Sequence, residues 1–330
     1  MSTTLKSKVA GLILGVSLAL PAVASAEPAH LLFAAAPTGS TWYAYAGTLH
    51  SAMLEELPPG SSVAIMNTPM AIANTKLLTG ERADIGMIFP PVANWAAQGF
   101  GPFDSKVENV RGLVGGMDQY YQRITVQKDS PIKSLADIKE QKLPVRIGTG
   151  PRGSLNEYIA RLILQSYGLS YEDIESFGGN VAMNSFGVLR NQFGDNQIDM
   201  IIGITTPGHP NTAQLSIAPG QRFLSLSDES VAYLKEYGFS PATMPANTFE
   251  GQNEPVEGVG FPTSLYANKA LSEELAYQIT KGIMENRKRL KQQFGSMASW
   301  KAEESAKQEN LQMPLHPGAE RYYREAGILK

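Results

Sequence analysis

The chain has 330 residues, with 28 basic and 31 acidic side chains and a formal net charge of −3. Without clustered excess Lys and Arg, this charge excludes the footprint of a nucleic-acid-binding protein. The chain contains no cysteine, so a disulfide framework is excluded and stability must come from a hydrophobic core. A hydrophobic share of 43% is ordinary for a globular protein.

The first 26 residues have the pattern of a secretory signal peptide. Lys6 and Lys8 precede an apolar run at 9–20, and the tripeptide Ala-Ser-Ala at 24–26 is typical of a cleavage site. A membrane anchor is the alternative, but the run is shorter than the roughly 20 residues that span a bilayer. We therefore predict that 1–26 is removed, and that the mature chain is periplasmic and does not itself span the membrane.

After the signal peptide, short apolar strands alternate with helical patterns. The first such unit is predicted to have strands at 30–36, 62–67 and 83–89 and helices at 42–57 and 70–78. Alternation of this kind indicates right-handed βαβ units. It predicts an α/β lobe built on a mainly parallel sheet that is flanked by helices.

A second unit repeats the same order of strands and helices. It has predicted strands at 144–148, 174–178 and 198–204 and helices at 154–167 and 181–192. Coincidence is the alternative, since any two doubly wound units share such spacing. We interpret the repeat as two similar lobes that face one ligand cleft.

The remaining segments connect and complete the two lobes. The segment 111–126 is strand-like and leaves no room for a helix, so it is predicted to cross between lobes. An extended stretch at 256–265 and a charged helix at 272–294 are predicted to complete the first lobe. The predicted organisation has lobe I at 27–118, lobe II at 119–220, and a return to lobe I at 221–330.

Both units place a glycine turn before a helix, which favours anion binding. A helix N-terminus offers unpaired N–H groups and the positive end of the helix dipole. Arg152 adds a bidentate donor for a carboxylate. Serine in these positions is also typical of a plain helix cap, and Arg152 of a solvated surface charge. The turns contribute the candidate ligand-binding residues Gly39, Ser40, Thr41, Arg152, Gly153 and Ser154.

Aromatic and hydroxyl side chains extend this candidate set. Trp42, Tyr43 and Phe89 follow the first turn and the third strand, where they could wall the cleft or pack in the core. Thr68 and Thr205 follow predicted strands, and ligands of open α/β sheets bind beyond the carboxyl ends of strands. All five are therefore predicted to contact the ligand.

Catalytic patterns are missing from the sequence. Residues 148–153 match G-x-G-x-x-G, but a nicotinamide site needs an acid at the end of the next strand, and Asp173 precedes that predicted strand. There is no G-x-S-x-G elbow, and the four histidines lack metal-ligand spacing. We predict no enzyme activity, no cofactor and no metal.

Four motifs, in order, resemble those of the TAXI solute receptors of TRAP transporters. The resemblance extends over essentially the whole mature chain. The S-L-A-D-I-K motif alone is common among type II periplasmic binding proteins, so the ordered set is the specific signal. The motifs are TGSTWY (38–43), LLTGERADIG (77–86), IKSLADIK (132–139) and HPGAERYY (316–323).

This resemblance implies a two-lobed type II periplasmic-binding-protein fold with the ligand cleft between the lobes. The implied function is binding of a small organic acid by lobe closure. The implied ligands are mono- and dicarboxylates, including glutamate-like acids. The implied partner is a TRAP permease that uses an ion gradient. A receptor for an ABC transporter or a sensor kinase is the alternative, and an exported α/β enzyme is a distant one.

The sequence departs from the family pattern at three places. Residues 39–43 read Gly-Ser-Thr-Trp-Tyr where the family has G-G-T-Y-Y, and 153–156 read Gly-Ser-Leu-Asn where it has G-S-G-T. The second match adds Asn156 to the candidate ligand-binding residues. After the third strand, Phe89-Pro-Pro-Val replaces a polar pair such as Ser-Asp. An ammonium group would lose a carboxylate partner there, which favours an acid without one.

Overall fold

A computed structural model describes residues 1, 27–38 and 40–330. Apart from Met1, the predicted signal peptide at 1–26 lies outside the described residues, and so does Gly39. Within the part of the chain that is described, no helix is long and apolar enough to cross a membrane.

The described chain alternates strands and helices, with three short 3-10 turns near its C-terminal end. The strands are β1 (His30–Ala34), β2 (Ser62–Met66), β3 (Ile85–Ile88), β4 (Val110–Val114), β5 (Tyr120–Gln127), β6 (Arg146–Thr149), β7 (Asn180–Met183), β8 (Met200–Thr205), β9 (Gln221–Phe223), β10 (Ser240–Met244), β11 (Val256–Phe261) and β12 (Ser264–Asn268). The helices are α1 (Thr41–Leu54), α2 (Ala71–Thr79), α3 (Pro90–Gln98), α4 (Leu135–Gln141), α5 (Leu155–Ser166), α6 (Tyr171–Ser176), α7 (Phe186–Gly194), α8 (Pro210–Ile217), α9 (Asp228–Lys235), α10 (Glu273–Glu285), α11 (Arg287–Gln293) and α12 (Pro317–Glu325).

The first lobe is built on a five-stranded sheet with the order β2-β1-β3-β12-β4. β1 runs parallel to β2 and β3, because α1 and α2 are the crossovers of βαβ units. β12 enters from the other lobe and pairs antiparallel with β3 and β4. The late strand β12 therefore lies between β3 and β4, so the C-terminal part of the chain completes the first lobe.

The second lobe is built on a seven-stranded sheet. Its path is β10-β11-β5-β8-β6-β7, and β9 pairs with β5 beside that path. β6 is parallel to β7 and β8, whereas β5 is antiparallel to β8, β9 and β11. The expectation of mainly parallel sheets is therefore correct only for the βαβ half of each lobe. The strands next to the lobe crossings reverse the direction of the chain.

The chain returns to the first lobe later than the sequence predicts. The predicted return starts at 221, but β9, β10 and β11 all pair within the second sheet. The crossing lies between Phe261 and Ser264, within the extended stretch predicted at 256–265. An extended pattern alone does not reveal this change of sheet, because two strands separated by two residues have the period of one strand.

The predicted strand at 174–178 is wrong. This segment belongs to the helix α6, and the next strand, β7, begins only at Asn180. A capping box explains the helix: the Ser170 side chain accepts from the Asp173 amide, and the Asp173 carboxylate accepts from the Ser170 amide. The predicted helix at 181–192 begins later, at Phe186, because the strand β7 occupies Asn180–Met183.

The predicted charged helix at 272–294 is divided into α10 and α11 at Asn286. The Asn286 side chain donates to the Gly282 carbonyl (2.9 Å) and to the Glu55 carboxylate (2.8 Å). Two ion pairs, Lys281 with Glu56 and Arg289 with Glu55, join the same pair of helices to the end of α1. Lys281 and Arg289 of this segment therefore form ion pairs within the first lobe.

Candidate functional site

The carboxyl ends of the parallel strands of both lobes meet at the lobe crossings. In the first sheet, Ser264 at the start of β12 pairs with Ile88 at the end of β3. In the second sheet, Tyr121 at the start of β5 pairs with Thr205 at the end of β8. Because β5 and β12 both start at a crossing, the strand ends of the two lobes face each other. Open α/β sheets bind ligands at such ends.

Two crossing segments connect the lobes and are hydrogen-bonded to each other. The Asp118 carboxylate accepts from the Thr263 amide (2.6 Å) and from the Thr263 hydroxyl (2.9 Å). The Met117 amide donates to the Thr263 carbonyl (3.1 Å). Asp118 lies on the first crossing and Thr263 on the second, so the two segments form a single connection about which the lobes can rotate.

Asp118 is a buried carboxyl group with an unusual protonation equilibrium. Burial raises its pKa to about 6, and its hydrogen bonds from Thr263 oppose the shift only in part. Tyr45 lies close by: desolvation and the Asp118 charge raise the Tyr45 pKa, and its hydroxyl is hydrogen-bonded to Ser296. The connection between the lobes therefore contains a group that titrates near neutral pH.

Two of the predicted cleft aromatics, Trp42 and Phe89, lie in an aromatic cluster beneath the crossings. Both rings are buried, and their centroids are 4.4 Å apart. Phe89 also packs against Tyr120 (5.0 Å) and Phe261 (4.8 Å), the residues at the lobe-II ends of the two crossings. The Trp42 indole N–H donates to the Thr263 hydroxyl (2.8 Å). These contacts support the crossings, and contact of either ring with a ligand stays a prediction.

At the first glycine turn, Ser40 acts as the N-cap of α1. Its hydroxyl accepts from the Tyr43 amide at 3.2 Å. Thr41 and Tyr43 are both half-buried on the first turn of the helix. Gly39 lies outside the described residues. The hydroxyl of Thr41 and the ring of Tyr43 thus remain the accessible candidates at this turn.

Thr68 belongs to a satisfied polar cluster at the strand ends of the first lobe. Its hydroxyl donates to the Asn74 side-chain carbonyl at 2.6 Å. The Asn74 amide nitrogen contacts three main-chain carbonyls, those of Ala34 (3.1 Å), Ala35 (2.8 Å) and Met87 (2.8 Å). Asn74 is fully buried. The Asn74 side chain therefore connects the ends of β1 and β3 and stabilises this edge of the sheet.

At the second glycine turn, the Gly153 amide is already bonded within the protein. The Gly153 amide, at φ +78°, donates to the Glu157 carboxylate (3.1 Å). The Ser154 hydroxyl caps α5 by accepting from the Glu157 amide (3.4 Å). Glu157 is fully buried and forms an ion pair with Arg161. Arg152 is exposed on this turn. A ligand that binds the Gly153 amide would have to replace the Glu157 carboxylate.

Asn156 closes the end of the second sheet where β6 stops. Its side-chain carbonyl accepts from the Ile204 amide (3.0 Å), and its main-chain carbonyl accepts from the Thr149 hydroxyl (3.0 Å). A Cβ at Gly203 would approach the Asn156 side-chain oxygen to 2.6 Å, so a larger residue there would displace the Asn156 side chain. Asn156 is half-buried and bonds Ile204 near the end of β8, and its contact with a ligand stays a prediction.

Thr205, at the end of β8, lies next to a buried arginine that sequence reasoning missed. The Thr205 hydroxyl is 2.9 Å from that of Thr212, and Thr212 accepts from Arg123 Nη1 at 3.2 Å. Arg123 is only 1% exposed. A single arginine within the strand pattern of β5 gives no sequence signal, and only the pairing of β5 with β8 brings it to the strand ends.

A second aromatic cluster connects the lobes beside the cleft. The Trp95 indole N–H on α3 donates to the Tyr237 carbonyl at 2.9 Å, and its ring packs against Tyr158 (5.7 Å) and Phe239 (6.0 Å). Phe100 adds a contact with Tyr237 at 5.2 Å. Trp95 and Phe100 belong to the first lobe, and their three partners belong to the second.

Other features of the surface lie away from the strand ends. One depression, lined by residues that include Pro131, Val145 and Asp199, lies at the opposite end of the second sheet. Another lies beside His30 and Asp84 at the opposite end of the first sheet. Within the described residues, no group of three or more His, Asp or Glu side chains is arranged to hold a metal ion.

The family model named NMT1-like family matches residues 33–327. The chain belongs to the NMT1-like family. The match includes both sheets and both crossings described above, and it ends within the last turns after α12.

Solved structures share the fold at low sequence identity. PhnD1 from Prochlorococcus marinus, in complex with methylphosphonate, has a TM-score of 0.54 at 10% identity, over 92% of this chain and 100% of that chain. A TctC solute binding protein from Polaromonas, solved with no ligand, has a TM-score of 0.53 at 13% identity, over 92% and 98% of the two chains. The predicted two-lobed α/β fold of periplasmic binding proteins is confirmed.

Proposed function

We propose that this protein is an extracytoplasmic solute receptor that binds a small organic acid between its lobes. The observation on which the proposal depends is that the carboxyl ends of β3 and β8 face each other at one hydrogen-bonded pair of crossings. A ligand that contacts both lobes stabilises the closed state relative to the open one, in proportion to its differential affinity for the two. Membership of the NMT1-like family supports a binding protein for transport and not an enzyme.

The receptor delivers its ligand to the permease of a TRAP transporter of the TAXI type. Support comes from the four ordered motifs, of which IKSLADIK at 132–139 begins α4 and HPGAERYY at 316–323 lies on α12. In the second of these, His316 is the N-cap of α12, and its imidazole lies 3.0 Å from the Leu271 carbonyl. Export to the periplasm is part of this proposal and depends on the pattern at 1–26.

A thermal-shift screen on the refolded mature protein tests the receptor function. Denaturation and refolding remove ligand carried over from the cell. The probes are C2 to C5 monocarboxylates, keto and hydroxy acids, succinate, glutamate, benzoate, ethanesulfonate and methylphosphonate. We expect one acid to raise the melting temperature in proportion to the logarithm of its concentration. A folded protein that no probe stabilises would contradict the proposal.

A phosphonate receptor is the competing function, since PhnD1 has the same fold and was solved with methylphosphonate. The same screen separates the two classes, because methylphosphonate gives the largest shift in melting temperature if the protein is a phosphonate receptor.

The transporter type is tested separately: co-purification with a TRAP membrane subunit supports the TAXI assignment. Co-purification with an ATP-binding subunit contradicts it.

A further inference from the structure

Arg123 is a buried cation without an anionic partner. It is 1% exposed and donates one hydrogen bond, from Nη1 to the Thr212 hydroxyl at 3.2 Å. Its Nε has no hydrogen-bond partner. Among residues 27–38 and 40–330, no carboxylate lies within ion-pair distance of its guanidinium. Buried arginine is otherwise almost always paired, because an uncompensated buried charge is strongly destabilising.

The face of the guanidinium is covered, but its edge keeps free donor capacity. The Phe186 ring lies over the guanidinium carbon, 3.8 Å from ring centroid to Cζ. Cation–π stacking of this kind uses the face of the group and leaves the N–H donors at its edge. Nε lies on that edge. The edge is the part of arginine that binds a carboxylate with two parallel hydrogen bonds.

The surroundings of Arg123 suit an anion. The hydroxyls of Thr205 and Thr212 lie 2.9 Å apart beside it. Helix α7 begins at Phe186 and α8 at Pro210, and neither helix has a side-chain cap. Both helices follow strands whose carboxyl ends lie at the cleft, so their positive ends point to the same place. Phe186 and His209, which are half-buried at the starts of these two helices, pack edge to face with their ring centroids 5.3 Å apart.

We propose that Arg123 pairs with the carboxylate of the ligand, and that the ligand is a monocarboxylate whose remaining part lies against Phe186. This inference rests on the proposed receptor function and identifies the chemical class that its cleft accepts. Burial lowers the pKa of Arg123 to about 9, so the guanidinium is charged at neutral pH. Burial and the Arg123 charge lower the pKa of His209 to about 4, so the imidazole adds no second positive charge. One cation matches one carboxylate.

The test is isothermal titration of the refolded protein and of three variants with the probes named above. Arg123→Met removes the charge and all five N–H donors but keeps an unbranched apolar side chain, and we expect affinity for the best monocarboxylate to fall about 30-fold or more. Arg123→Lys keeps the charge but loses the two-pronged geometry, and we expect a loss of about 10-fold. Arg82→Met, which removes an exposed arginine from the first lobe, is the control and should leave affinity unchanged.

A second readout separates ligand binding from a structural role. If Arg123 serves the ligand, Arg123→Met should raise the melting temperature of the ligand-free protein, since a buried unpaired charge is lost. A structural arginine would instead lower it. If Arg123→Met does not fold, Arg123→Lys and Thr212→Val give the same comparison, because each weakens the guanidinium site without an empty space of comparable size.

Each outcome decides the proposal. A carboxylate that binds Arg123→Met as tightly as wild type would overturn the role of Arg123 and leave the receptor function intact. Succinate or methylphosphonate binding more tightly than every monocarboxylate would overturn the ligand class. If no probe binds the wild-type protein, both this inference and the proposed function fail.

Discussion

The strand ends of the first lobe are held by Asn74, whose buried amide contacts three main-chain carbonyls and whose carbonyl accepts from Thr68. Near the strand ends of the second lobe, Arg123 on β5 is equally buried but uses one of its five N–H donors for a hydrogen bond, to Thr212. One polar group is fully satisfied by the protein, and the other is not. Satisfied buried groups fix the local structure, whereas an unsatisfied one such as Arg123 keeps donors that a ligand can use.

The largest effect on stability is expected at Asn74, the buried group whose hydrogen bonds the protein satisfies. Asn74→Ala leaves several carbonyls at the ends of β1 and β3, and the Thr68 hydroxyl, without partners. We expect the free energy of unfolding to fall by about 3 kcal/mol or more. Urea unfolding followed by circular dichroism gives the value. Asn109→Ala, which removes one bond to the Thr79 carbonyl (2.9 Å) in the same lobe, is the matched control. An equal loss in the two variants would show that Asn74 is not the main support of these strand ends.

The connection between the lobes gives a pH-dependent effect of intermediate size. In the unfolded chain Asp118 has a pKa of 3.8, and in the folded protein burial raises its pKa to about 6. Because this pKa is higher in the folded protein, ionisation of Asp118 lowers the free energy of unfolding. The loss of stability is absent below about pH 3.8, grows as the pH rises toward about 6, and is complete above that pH. Asp118→Asn removes this penalty. We expect its stability relative to wild type to rise by about 2 kcal/mol between about pH 4.5 and about pH 7.5.

The measurement is urea unfolding of wild type and Asp118→Asn across that pH range. The carboxyl groups whose pKa values are lowered by hydrogen bonds, such as Asp137 and Asp173, act in the opposite direction but are common to both proteins. Asp104→Asn, at an exposed position of the first lobe, is the control for removing one carboxylate. A stability difference that does not change with pH would show that Asp118 does not titrate in the folded protein.

The smallest effects are expected at the two glycine turns. Ser40 and Ser154 each accept from an amide three residues later, at 3.2 Å and 3.4 Å. Ser40→Ala and Ser154→Ala should each lower stability by about 1 kcal/mol, as expected for loss of an N-cap. Thermal unfolding measures this, and Ser→Asp at either position should restore the cap. If either alanine variant also binds the ligand more weakly, that turn belongs to the site as well as to the helix.

Much of the fold could be predicted from local patterns. The crossover 111–126 and most of the predicted helices lie close to their observed positions, because capping residues and apolar periodicity are short-range signals. The strand predicted at 174–178 is wrong because the capping box at Ser170 and Asp173 starts a helix, although the apolar residues that follow are also typical of a strand. The late return of the chain was missed, because which sheet an extended segment joins depends on partners far away in sequence.

The candidate site was harder to predict than the fold. The sequence locates Thr205 at the end of a strand and Asn156 at the start of a helix, since a recognisable strand precedes the first and a glycine turn the second. It had no means to find Arg123 or Asp118. Arg123 is significant only because β5 pairs with β8, and Asp118 only because the two crossings meet at Thr263. Conversely, Gly153 looked free in the sequence, but the Glu157 carboxylate four residues later accepts its amide hydrogen.

The hydrogen bond from the Met117 amide to the Thr263 carbonyl also defines how the chain is divided. Everything between these residues forms the second lobe, so that lobe is an insertion whose entry and exit points are adjacent. The first lobe is made from two separate stretches of chain that β12 joins between β3 and β4. Insertions, deletions and exchanges within the second lobe therefore leave the strand order of the first unchanged. Ligand preference can diverge in one half of the molecule while the other half stays constant.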